Sequence, residues 1–484
     1  MTSPESPTRL HTSLDPEDWP AARAQAHRML DDMLDHIQGL RSGPVWRPIP
    51  TEVRAAFDAP LPVKPSALDA VHDDFLRNVL PYGVGNLHPS FMGWVQGGGN
   101  IAGMLGEMLA GGLNANLGGR DQAPLEVERQ ILRWMREIFH FPSTATGLFV
   151  TGSSMANFMG LLVARHAAVG KTPLGKAVAD GELVAYASVA VHGCVPQAMD
   201  LSGLGRAAMR LIPVDANGRM RIDLLEAAIA ADRADGHRPF LVAGTVGTVD
   251  TGAIDDLHSL ADIAERNDMW YHVDGAFGAL AILSPSLAPL LDGIERADSL
   301  AFDFHKWAQV PYDAGFLLVR DGREHENTFM APEAYLRRET RGMAANSPWP
   351  CDFGIDLSRG FRALKTWFTL RTYGLERIGA MIENTCALAR HLEARVSAES
   401  ELELMAPVAL NIVCFRYRGD NRVEDTNALN ARIVVELQES GIAAPSTTEI
   451  DGQLVIRAAI VNHRTEPRDI DEMVDAVLDL GRRP

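Results

Sequence analysis

Two apolar runs of the sequence each end in a charged residue that can do chemistry inside a cavity. Residues 269–273, Met-Trp-Tyr-His-Val, are followed by Asp274, and residues 299–304, Ser-Leu-Ala-Phe-Asp-Phe, are followed by His305 and Lys306. Lysine and aspartate prefer water, so their place at the ends of two buried strands predicts a ligand that needs both. A lysine amine bonds covalently to aldehydes, and a buried carboxylate keeps a proton on a ring nitrogen.

Pyridoxal phosphate has both an aldehyde and a pyridine nitrogen, which makes it the cofactor that this pair of residues predicts. We expect Lys306 to hold the aldehyde as a Schiff base and Asp274 to pair with the ring nitrogen. Taken alone, Asp274 could instead cap a helix, and Lys306 could be a surface lysine at the end of a strand. His192, which follows the apolar run 183–189, could stack on the ring or be an ordinary structural histidine.

The predicted phosphate site is the segment 149–157, Phe-Val-Thr-Gly-Ser-Ser-Met-Ala-Asn, where a short apolar run turns through Gly152 into a helix. Backbone N–H groups at the start of a helix bind anions, and Ser153 and Ser154 would add hydroxyl donors. Gly-Ser-Ser is also an ordinary helix cap, so the pattern is suggestive rather than specific. His305 could donate a further hydrogen bond to the phosphate.

A glycine-rich stretch between residues 83 and 119 raises the alternative of a dinucleotide cofactor. Its Gly-x-Gly-x-x-Ala segment at 97–102 fits the pattern of a dinucleotide-binding loop. That pattern requires a second strand that ends in an acidic residue, whereas Asp121 is soon followed by Pro124 at the start of a predicted helix. We therefore expect tight turns beside an active site, and a nicotinamide dehydrogenase is the least favoured alternative.

Apolar strands and helices alternate from residue 183 onward. Strands are predicted at residues 183–189, 209–214, 240–246, 269–273, 300–304 and 315–319, with helices at 194–204, 223–234, 256–267 and 287–291 between them. Strands that are apolar on both faces and alternate with helices indicate an α/β fold with a mainly parallel sheet. Ligands of such sheets bind outside the carboxyl ends of the strands. The candidates that fall at those ends are His192, Thr245, Asp274, His305 and Lys306.

The first 85 residues are predicted to be a separate arm. Amphipathic helices at 16–40 and 67–80 are joined by a proline-rich crossing, which makes a poor core of its own. We expect residues 1–85 to pack on a partner subunit.

Two further regions follow the arm. Residues 86–374 are predicted to form the large cofactor domain, with a polar lid at about 328–350. Residues 375–484 are predicted to form a small α+β domain, with strands at 409–417 and 453–460.

The composition argues against several other classes of protein. The net charge of −18 disfavours nucleic-acid binding, which needs clustered positive charge. The 4 cysteines are scattered without CxxC spacing and predict neither a disulfide framework nor a metal site. Neither a secretory signal nor an apolar run long enough to cross a membrane is visible. We therefore expect a soluble cytoplasmic protein with a small-molecule substrate.

With these residues assembled, the chain resembles the group II pyridoxal-phosphate decarboxylases, and most closely the aromatic-L-amino-acid decarboxylases. The resemblance covers nearly the whole chain. The segments that carry it lie at 88–91, 152–157, 191–192, 245–248, 272–276, 304–307 and 361–367, and the pair His-Val-Asp and His-Lys-Trp is the most specific.

This resemblance implies a fold-type I, aminotransferase-like α/β architecture. Its parts are a mainly parallel seven-stranded sheet, an N-terminal helical arm and a small α+β C-terminal domain. It also implies a homodimer with active sites at the subunit interface.

Residue by residue, the resemblance assigns Lys306 to the Schiff base, Asp274 to the ring nitrogen and His192 to stacking and substrate placement. The residues around the phosphate would be Ser153, Ser154, Asp303 and His305. The cofactor ring would be in contact with Thr245 and Ala276. Tyr335 in the lid matches a mobile tyrosine that returns a proton to the substrate carbon after carbon dioxide leaves. Because Tyr335 and His192 are both present, simple decarboxylation is favoured over aldehyde formation.

The chain departs from the family pattern in three places. The family often has asparagine where Asp303 stands, and a carboxylate there would repel a phosphate unless it points elsewhere. The second serine expected in the phosphate turn is shifted or replaced, with Met155 following Ser153 and Ser154. Residues 114–120, Asn-Ala-Asn-Leu-Gly-Gly-Arg, replace an aromatic-rich pocket segment, so an aromatic substrate follows from the resemblance alone.

The predicted function is decarboxylation of an L-amino acid, aromatic by resemblance, to its amine and carbon dioxide. The predicted substrate contacts are Phe91, Trp94, Asn114, Asn116 and Arg359. Phe91 and Trp94 could also be ordinary core residues. Alternatives on the same cofactor are oxidative formation of an aldehyde, transamination and decarboxylation of a non-aromatic amino acid. A non-catalytic homologue that keeps the fold as a binding protein is a further alternative.

Overall fold

A computed structural model describes residues 13–170, 182–330, 337–418 and 425–483. The chain divides after Gly85 into two compact units, and this division coincides with the predicted end of the N-terminal arm. Within the described ranges, no helix combines the length and the apolar composition that crossing a lipid bilayer requires.

The first unit consists of helices joined by proline-rich chain. Its helices are α1 (Trp19–Gly39), α2 (Thr51–Ala56) and α3 (Leu68–Asn78). The Asp18 carboxylate caps α1 by accepting a hydrogen bond from the Ala21 amide at 2.9 Å, so the helix begins at Trp19 and not at Pro16. No residue of α1 is buried, and Trp19 is 62% exposed. Packing of this arm on a partner subunit stays a prediction.

The second unit contains the remaining elements of the described chain. Its helices are α4 (Ile101–Leu113), α5 (Ala123–Ile138), α6 (Ser153–Val169), α7 (Cys194–Leu201), α8 (Ile222–Ala234), α9 (Leu257–Asn267), α10 (Gly322–Phe329), α11 (Arg362–Ala398), α12 (Thr426–Ser440) and α13 (Pro467–Gly481). Its strands are β1 (Phe91–Met92), β2 (Thr146–Val150), β3 (Leu183–Ser188), β4 (Met209–Ile212), β5 (Arg238–Thr245), β6 (Trp270–Asp274), β7 (Ser299–Asp303), β8 (Gly315–Val319), β9 (Leu402–Leu404), β10 (Ile412–Tyr417), β11 (Ala444–Ile450) and β12 (Gln453–Ala459).

A seven-stranded sheet forms the core of this unit, in the order β2-β8-β7-β6-β5-β3-β4. Strands β4, β3, β5, β6 and β7 are parallel, whereas β8 is antiparallel to β7 and β2. Helix α6 packs on β7 and β8, and α8 and α9 pack on β5. The predicted α/β fold with a mainly parallel seven-stranded sheet is confirmed. The ends of the strands differ slightly from the prediction, because an apolar run marks a buried strand better than it marks its ends.

The register of the sheet brings several polar residues to one edge. Thr245 at the end of β5 is opposite Asp274 of β6, and Asp274 is opposite Ala301 of β7. Below this edge, buried phenylalanine rings pack with centroids 5.0 to 5.6 Å apart. They are Phe149, Phe302, Phe304 and Phe316. This aromatic layer gives the ends of β7 and β8 a close-packed base.

The prediction of tight turns is wrong for residues 101–113, which form α4. A Cβ atom at Gly103 would lie 2.4 Å from Pro311 Cδ, and one at Gly106 would lie 3.0 Å from the Cα of Lys365 in α11. Gly103 lets α4 approach the chain at Pro311 and Gly106 lets it approach α11, which are tertiary requirements that the local pattern does not show.

The dinucleotide-binding pattern at 97–102 lacks its structural context. Strand β1, which precedes it, belongs to a different sheet from the parallel one. Helix α5, and not a second strand, follows Asp121.

The C-terminal residues build a five-stranded sheet in the order β1-β11-β12-β10-β9. Strand β11 is absent from the predicted strands because its sequence, Ala-Pro-Ser-Thr-Thr-Glu-Ile, has no clear apolar alternation. Strand β1 pairs with β11 in parallel, so residues 91–92 complete this sheet. Helix α11 passes the predicted domain boundary with a non-helical break at Gly374, where φ is 72°. The boundary at 374 itself stays a prediction.

Candidate active site

Most of the predicted site residues line one cleft of about 420 Å³ at the carboxyl ends of the parallel strands. They are Trp94, Ser153, Ser154, His192, Thr245, Asp274, Ala276, Asp303, His305 and Lys306. Strands β3, β5, β6 and β7 each deliver part of this set because their carboxyl ends share one edge of the sheet.

Lys306 follows β7 and brings a primary amine to the cleft. Its Nζ lies 3.0 Å from Asp303 Oδ2 and 3.5 Å from the hydroxyl oxygen of Ser153. Behind it, a Cβ atom at Gly97 would lie only 2.3 Å from the carbonyl oxygen of His305, so the chain needs glycine at this close approach. The Lys306 side chain is 21% exposed. The amine is therefore accessible while the backbone that carries it is held by its neighbours.

Asp303, the last residue of β7, points its carboxylate at the start of α6. Oδ1 accepts a hydrogen bond from the Ser153 amide at 2.6 Å, and Oδ2 accepts one from the Ser153 hydroxyl at 2.8 Å. His305 Nε2 lies 3.6 Å from Oδ2. Asp303 is 1% exposed, so this carboxylate occupies the donors of the predicted phosphate turn from within the protein.

Asp274, the last residue of β6, is the second buried carboxylate at this edge. Its Oδ1 accepts a hydrogen bond from the Ala276 amide at 3.1 Å. Burial raises the pKa of the Asp274 carboxyl, and the positive charge of Lys306 acts in the opposite direction. A cationic ring nitrogen in the cleft would stabilise its charged form further.

His192 lies beyond β3 and lines the cleft with an exposed side chain. Its Nδ1 accepts a hydrogen bond from the Cys194 amide, at the start of α7, at 3.2 Å. In the neutral ring the proton is therefore on Nε2. This leaves Nε2–H to donate to a ligand in the cleft.

Thr245, at the end of β5, has a buried hydroxyl that the protein does not satisfy. Its amide donates to Asp255 Oδ2 at 2.9 Å, whereas its Oγ1 is buried without a hydrogen-bond partner in the described part of the chain. Asp255 also accepts from the Met220 amide at 2.7 Å, and burial raises the pKa of its carboxyl to about 6. A buried hydroxyl without a partner is costly, and a ligand with a polar atom at this point would remove that cost.

A hydrogen-bonded chain beneath the cleft joins β6 to α7. His272 Nδ1 is 2.8 Å from the Ser299 hydroxyl, and His272 Nε2 is 2.8 Å from Asn157 Oδ1. Asn157 then donates from Nδ2 to Cys194 Sγ at 3.3 Å. Burial lowers the pKa of His272 to about 4, so its ring is neutral at physiological pH. His272 and Asp274 are two residues apart on β6, so their side chains lie on the same face of the strand. The hydrogen bonds of His272 therefore hold the strand that carries Asp274.

The family of the protein follows from comparison with known proteins. Residues 50–418 match the family described as pyridoxal-dependent decarboxylase conserved domain. The chain belongs to this family. It is 34% identical to the aromatic-L-amino-acid decarboxylase of Bacillus atrophaeus over 93% of each chain, and 29% identical to a phenylacetaldehyde synthase of Arabidopsis thaliana over 95% of each. The crystal structure of Oryza sativa TDC with PLP and tryptamine has a TM-score of 0.89 at 25% identity, and the match covers 97% of this chain and 99% of that one.

Membership in the family confirms the predicted resemblance, the fold type and the enzyme class. The protein is a pyridoxal-phosphate-dependent amino acid decarboxylase of fold-type I, and pyridoxal phosphate is its cofactor.

The residues of the cleft fit this cofactor in several respects. Lys306 offers an amine to the aldehyde, and Asp274 offers a buried carboxylate to the ring nitrogen. Ser154, in the first turn of α6, offers its backbone N–H and its hydroxyl, whereas the Met155 and Ala156 amides already bond to the Gly152 carbonyl oxygen. The buried Thr245 hydroxyl, which has no hydrogen-bond partner in the described residues, would be satisfied by a polar atom of the cofactor. Asp303 works against the fit because its carboxylate already takes both donors of Ser153.

Arg359 is not at the cleft, and its predicted substrate contact is corrected by the structure. Its guanidinium is buried in an ion pair with Glu128, at 2.7 Å from Nη2 to Oε1. The same group donates to the carbonyl oxygens of Leu117 and Phe149, each at 2.9 Å. These contacts make Arg359 a link between α5, the loop before it and β2.

Three other predicted substrate contacts do not line the cleft of their own chain. Asn114 ends α4 in the left-handed conformation, with φ of 48°. Asn116 accepts hydrogen bonds from the amides of Gly118 and Arg359 at 2.9 and 3.0 Å. Phe91 is buried in β1, with its ring 6.2 Å from that of Trp94. Turn formation and core packing account for all three side chains in this chain.

Several lining residues were not predicted from the sequence. They are Val95, Gln96, Gly247, Val249, Phe277 and Tyr312. Tyr312 packs on the His305 ring with centroids 4.3 Å apart. Their proximity to the motifs at 152–157, 245–248 and 304–307 is the signal that could have found most of them. Tyr335, the predicted proton donor in the lid, lies outside the described residues.

Proposed function

We propose that this enzyme removes the α-carboxylate of an aromatic L-amino acid to give the amine and carbon dioxide. The observation that carries the proposal is that Lys306, Asp274 and the start of α6 meet at one cleft. These groups suit the aldehyde, the ring nitrogen and the phosphate of the cofactor, respectively.

Aromatic side chains beside Lys306 support an aromatic substrate. Trp94, Phe277 and Tyr312 line the cleft. Trp94 is 53% exposed and Tyr312 49% exposed, so a substrate ring would remove apolar area from water there. The aromatic-L-amino-acid decarboxylase of Bacillus atrophaeus and the tryptamine in the Oryza sativa structure point to the same substrate class. Residues 114–120 do not line this cleft in their own chain.

Pyridoxal phosphate, when bound, accepts the electron pair that the departing carboxylate leaves on the α-carbon. Lys306 is proposed to hold the aldehyde end, and Ser154 and His305 the phosphate. Asp274 is proposed to keep the proton on the ring nitrogen, because a buried carboxylate is stabilised in its charged form by an adjacent cation.

His192 and Tyr335 are proposed to control the outcome of the reaction. His192 accepts from the Cys194 amide at Nδ1, so its Nε2–H is left to orient the substrate carboxylate. Tyr335 is proposed to return a proton to the α-carbon. A site that reprotonates this carbon quickly releases an amine before an oxidant can react with it.

A second candidate function is the oxidative formation of an aldehyde. The similarity to the phenylacetaldehyde synthase of Arabidopsis thaliana supports it, since that relative matches the chain over 95% of its length. Decarboxylation of a non-aromatic amino acid is the remaining alternative on the same cofactor. Each gives a different set of products from the same assay.

The enzyme is further proposed to work as a homodimer. Helix α4 exposes Ile101, Met108, Leu109 and Leu113, which recur at helical spacing and form one apolar strip. Helix α1 has no buried residue among its 21. We expect light scattering to give about twice the chain mass of 52.7 kDa, and a monomer at micromolar concentration would contradict the proposal. Cytoplasmic location stays a prediction from the sequence.

A product screen tests the proposed reaction. The purified holoenzyme is supplied with each common amino acid and with hydroxylated aromatic ones, and amine, carbon dioxide, aldehyde and hydrogen peroxide are measured. We expect an aromatic substrate to give amine and carbon dioxide in equal amounts, without peroxide. Aldehyde and peroxide in equal amounts would favour the second candidate. Turnover confined to acidic or aliphatic amino acids would refute the aromatic assignment.

A further inference from the structure

The carboxylate of Asp303 occupies the place where an anion is expected at the start of α6. We propose that Asp303 competes with the cofactor phosphate for this helix start and thereby sets how tightly the enzyme holds its cofactor. The inference rests on the cofactor site described under the proposed function and concerns the strength of phosphate binding there.

The hydrogen bonds of Asp303 are the first support. Oδ1 takes the Ser153 amide at 2.6 Å, and Oδ2 takes the Ser153 hydroxyl at 2.8 Å. An amide and a hydroxyl each have one proton to donate, so a phosphate cannot use these donors while the carboxylate holds them. The anion site at the start of the helix is thus partly filled by a side chain of the protein.

The charges around Asp303 are the second support. Lys306 Nζ lies 3.0 Å and His305 Nε2 lies 3.6 Å from Oδ2. Burial lowers the pKa of His305, so its ring adds little positive charge near neutral pH. Lys306 pairs with Asp303 and is the residue proposed to bond to the aldehyde, so its charge does not serve a phosphate placed beside Asp303, and like charges at close range repel.

Burial makes this competition difficult to avoid. Asp303 is 1% exposed and its backbone belongs to β7, which pairs with β8 up to Asp303 itself, opposite Gly315. A Cβ atom at Gly315 would lie 2.4 Å from the Cα of Gly152, so the residue before α6 is packed tightly against this strand pair. The carboxylate consequently has little room to turn away from the helix start.

The Asp303→Asn substitution keeps the size of the side chain and removes its charge. An asparagine amide can accept one hydrogen bond from Ser153 and can also donate one to a phosphate. We expect the affinity for pyridoxal phosphate to rise by about tenfold. The affinity for pyridoxal, which has the same aldehyde and ring but no phosphate, should change less than twofold.

The experiment compares these two ligands on the cofactor-free full-length protein. Dissociation constants are measured by tryptophan fluorescence for the wild type, Asp303→Asn, Asp303→Ser and the control Asp298→Asn. Asp298 precedes β7 at the opposite end of the strand, and its carboxylate accepts a hydrogen bond from the Tyr271 amide at 2.8 Å. Like Asp303 it is an aspartate that bonds to a backbone amide, but it lies far along the strand from the start of α6. Asp303→Ser tests the same loss of charge if the asparagine variant fails to fold, and thermal unfolding checks the fold of each protein.

The dissociation constant for pyridoxal divided by that for pyridoxal phosphate measures how much the phosphate group contributes to binding. We expect it to rise about tenfold in Asp303→Asn and in Asp303→Ser, and to stay at the wild-type value in Asp298→Asn. Inorganic phosphate should also inhibit pyridoxal phosphate binding at lower concentration in the two Asp303 variants. An unchanged or smaller ratio in folded variants would overturn the inference and make Asp303 a structural cap of α6. If no protein, wild type included, binds either ligand, the proposed function fails together with the inference.

Discussion

The two ends of the seven-stranded sheet each carry a cleft of similar size, yet their polar groups differ. The cleft at the amino ends measures about 480 Å³ and includes Arg238, Arg296 and Asp298. There Asp298 accepts from the Tyr271 amide at 2.8 Å, and Arg296 pairs with Asp262 and Glu265. At the carboxyl ends the cleft is about 420 Å³, and the buried hydroxyl of Thr245 is left without a partner in the described residues. An unsatisfied buried hydroxyl, and not volume, distinguishes the candidate active site.

The direction of the parallel strands explains this difference. Helices α6 and α7 follow β2 and β3 and begin at the carboxyl end of the sheet, where the positive ends of their dipoles favour anions. Asp274, Asp303 and Lys306 sit at the same edge because they end or follow parallel strands. At the amino end, Asp298 bonds to a backbone amide and Arg296 pairs with two carboxylates of α9.

The largest expected effect that tests this contrast comes from Lys306→Ala. Removal of the amine should lower kcat/KM by roughly a thousandfold or more, about 4 kcal/mol, and abolish the visible absorbance of covalently held cofactor. Steady-state kinetics and absorption spectra measure both effects. The control Arg296→Ala at the amino end should change kcat/KM less than twofold, because its ion pairs are partly exposed. Retention of colour and activity in Lys306→Ala would contradict the assignment of the lysine.

His272 makes the carboxyl end sensitive to acid. Burial lowers its pKa to about 4 in the folded protein, against about 6.5 in the unfolded chain. The unfolded state then binds more protons between these values, so the stabilising contribution is complete above pH 6.5 and is lost as the pH falls towards 4. We expect the free energy of unfolding to fall by about 2–3 kcal/mol from this group between pH 7.5 and 4.5.

Urea unfolding of His272→Gln at both pH values tests this expectation. The variant should lose about 2 kcal/mol less than the wild type over this interval, because glutamine does not titrate. His258→Gln is the matched control, since the His258 side chain is 56% exposed. Equal losses in the wild type and His272→Gln would show that His272 does not carry the effect.

Asp274→Asn tests the buried carboxylate that is proposed to pair with the ring nitrogen. A neutral amide stabilises a protonated nitrogen poorly, so we expect kcat to fall about a hundredfold with a smaller change in KM. Stopped-flow and steady-state measurements on cofactor-saturated protein separate the two constants. Asp298→Asn, at the opposite end of the sheet, should keep kcat within twofold. A large rise in KM with unchanged kcat would instead assign Asp274 to substrate binding.

Thr245→Val has the smallest expected effect and tests the unsatisfied hydroxyl directly. Valine matches threonine in shape, so the cofactor-free protein should keep its stability or gain about 1 kcal/mol. The affinity for pyridoxal phosphate should fall about fivefold, because a hydrogen bond to the ligand is lost. Thermal unfolding and cofactor titration check the two parts. A loss of stability without a change in affinity would mean that the hydroxyl serves the fold alone.

Much of the parallel sheet could be predicted because its strands are continuous apolar runs. The runs at 183–189 and 315–319 appear as strands with almost the predicted ends. Helix α4 and strand β11 could not be predicted in this way. Glycines interrupt the apolar pattern of α4, and polar residues interrupt that of β11. Lys306 and Asp274, which both line the cleft, were predicted as site residues from their position after such runs.

The sequence by itself determined the family, the cofactor and the residues that stand at the strand ends. These features depend on local runs and short motifs, such as His-Val-Asp at 272–274 and His-Lys at 305–306. Tertiary structure alone decided that Arg359 pairs with Glu128 and that Asp303 binds Ser153. Those partners are distant in sequence, so their contacts depend on how strands and helices pack and not on any local pattern. For the same reason, the proposed competition between Asp303 and the phosphate could be assigned to Ser153 only from the structure, which shows where the Asp303 carboxylate points.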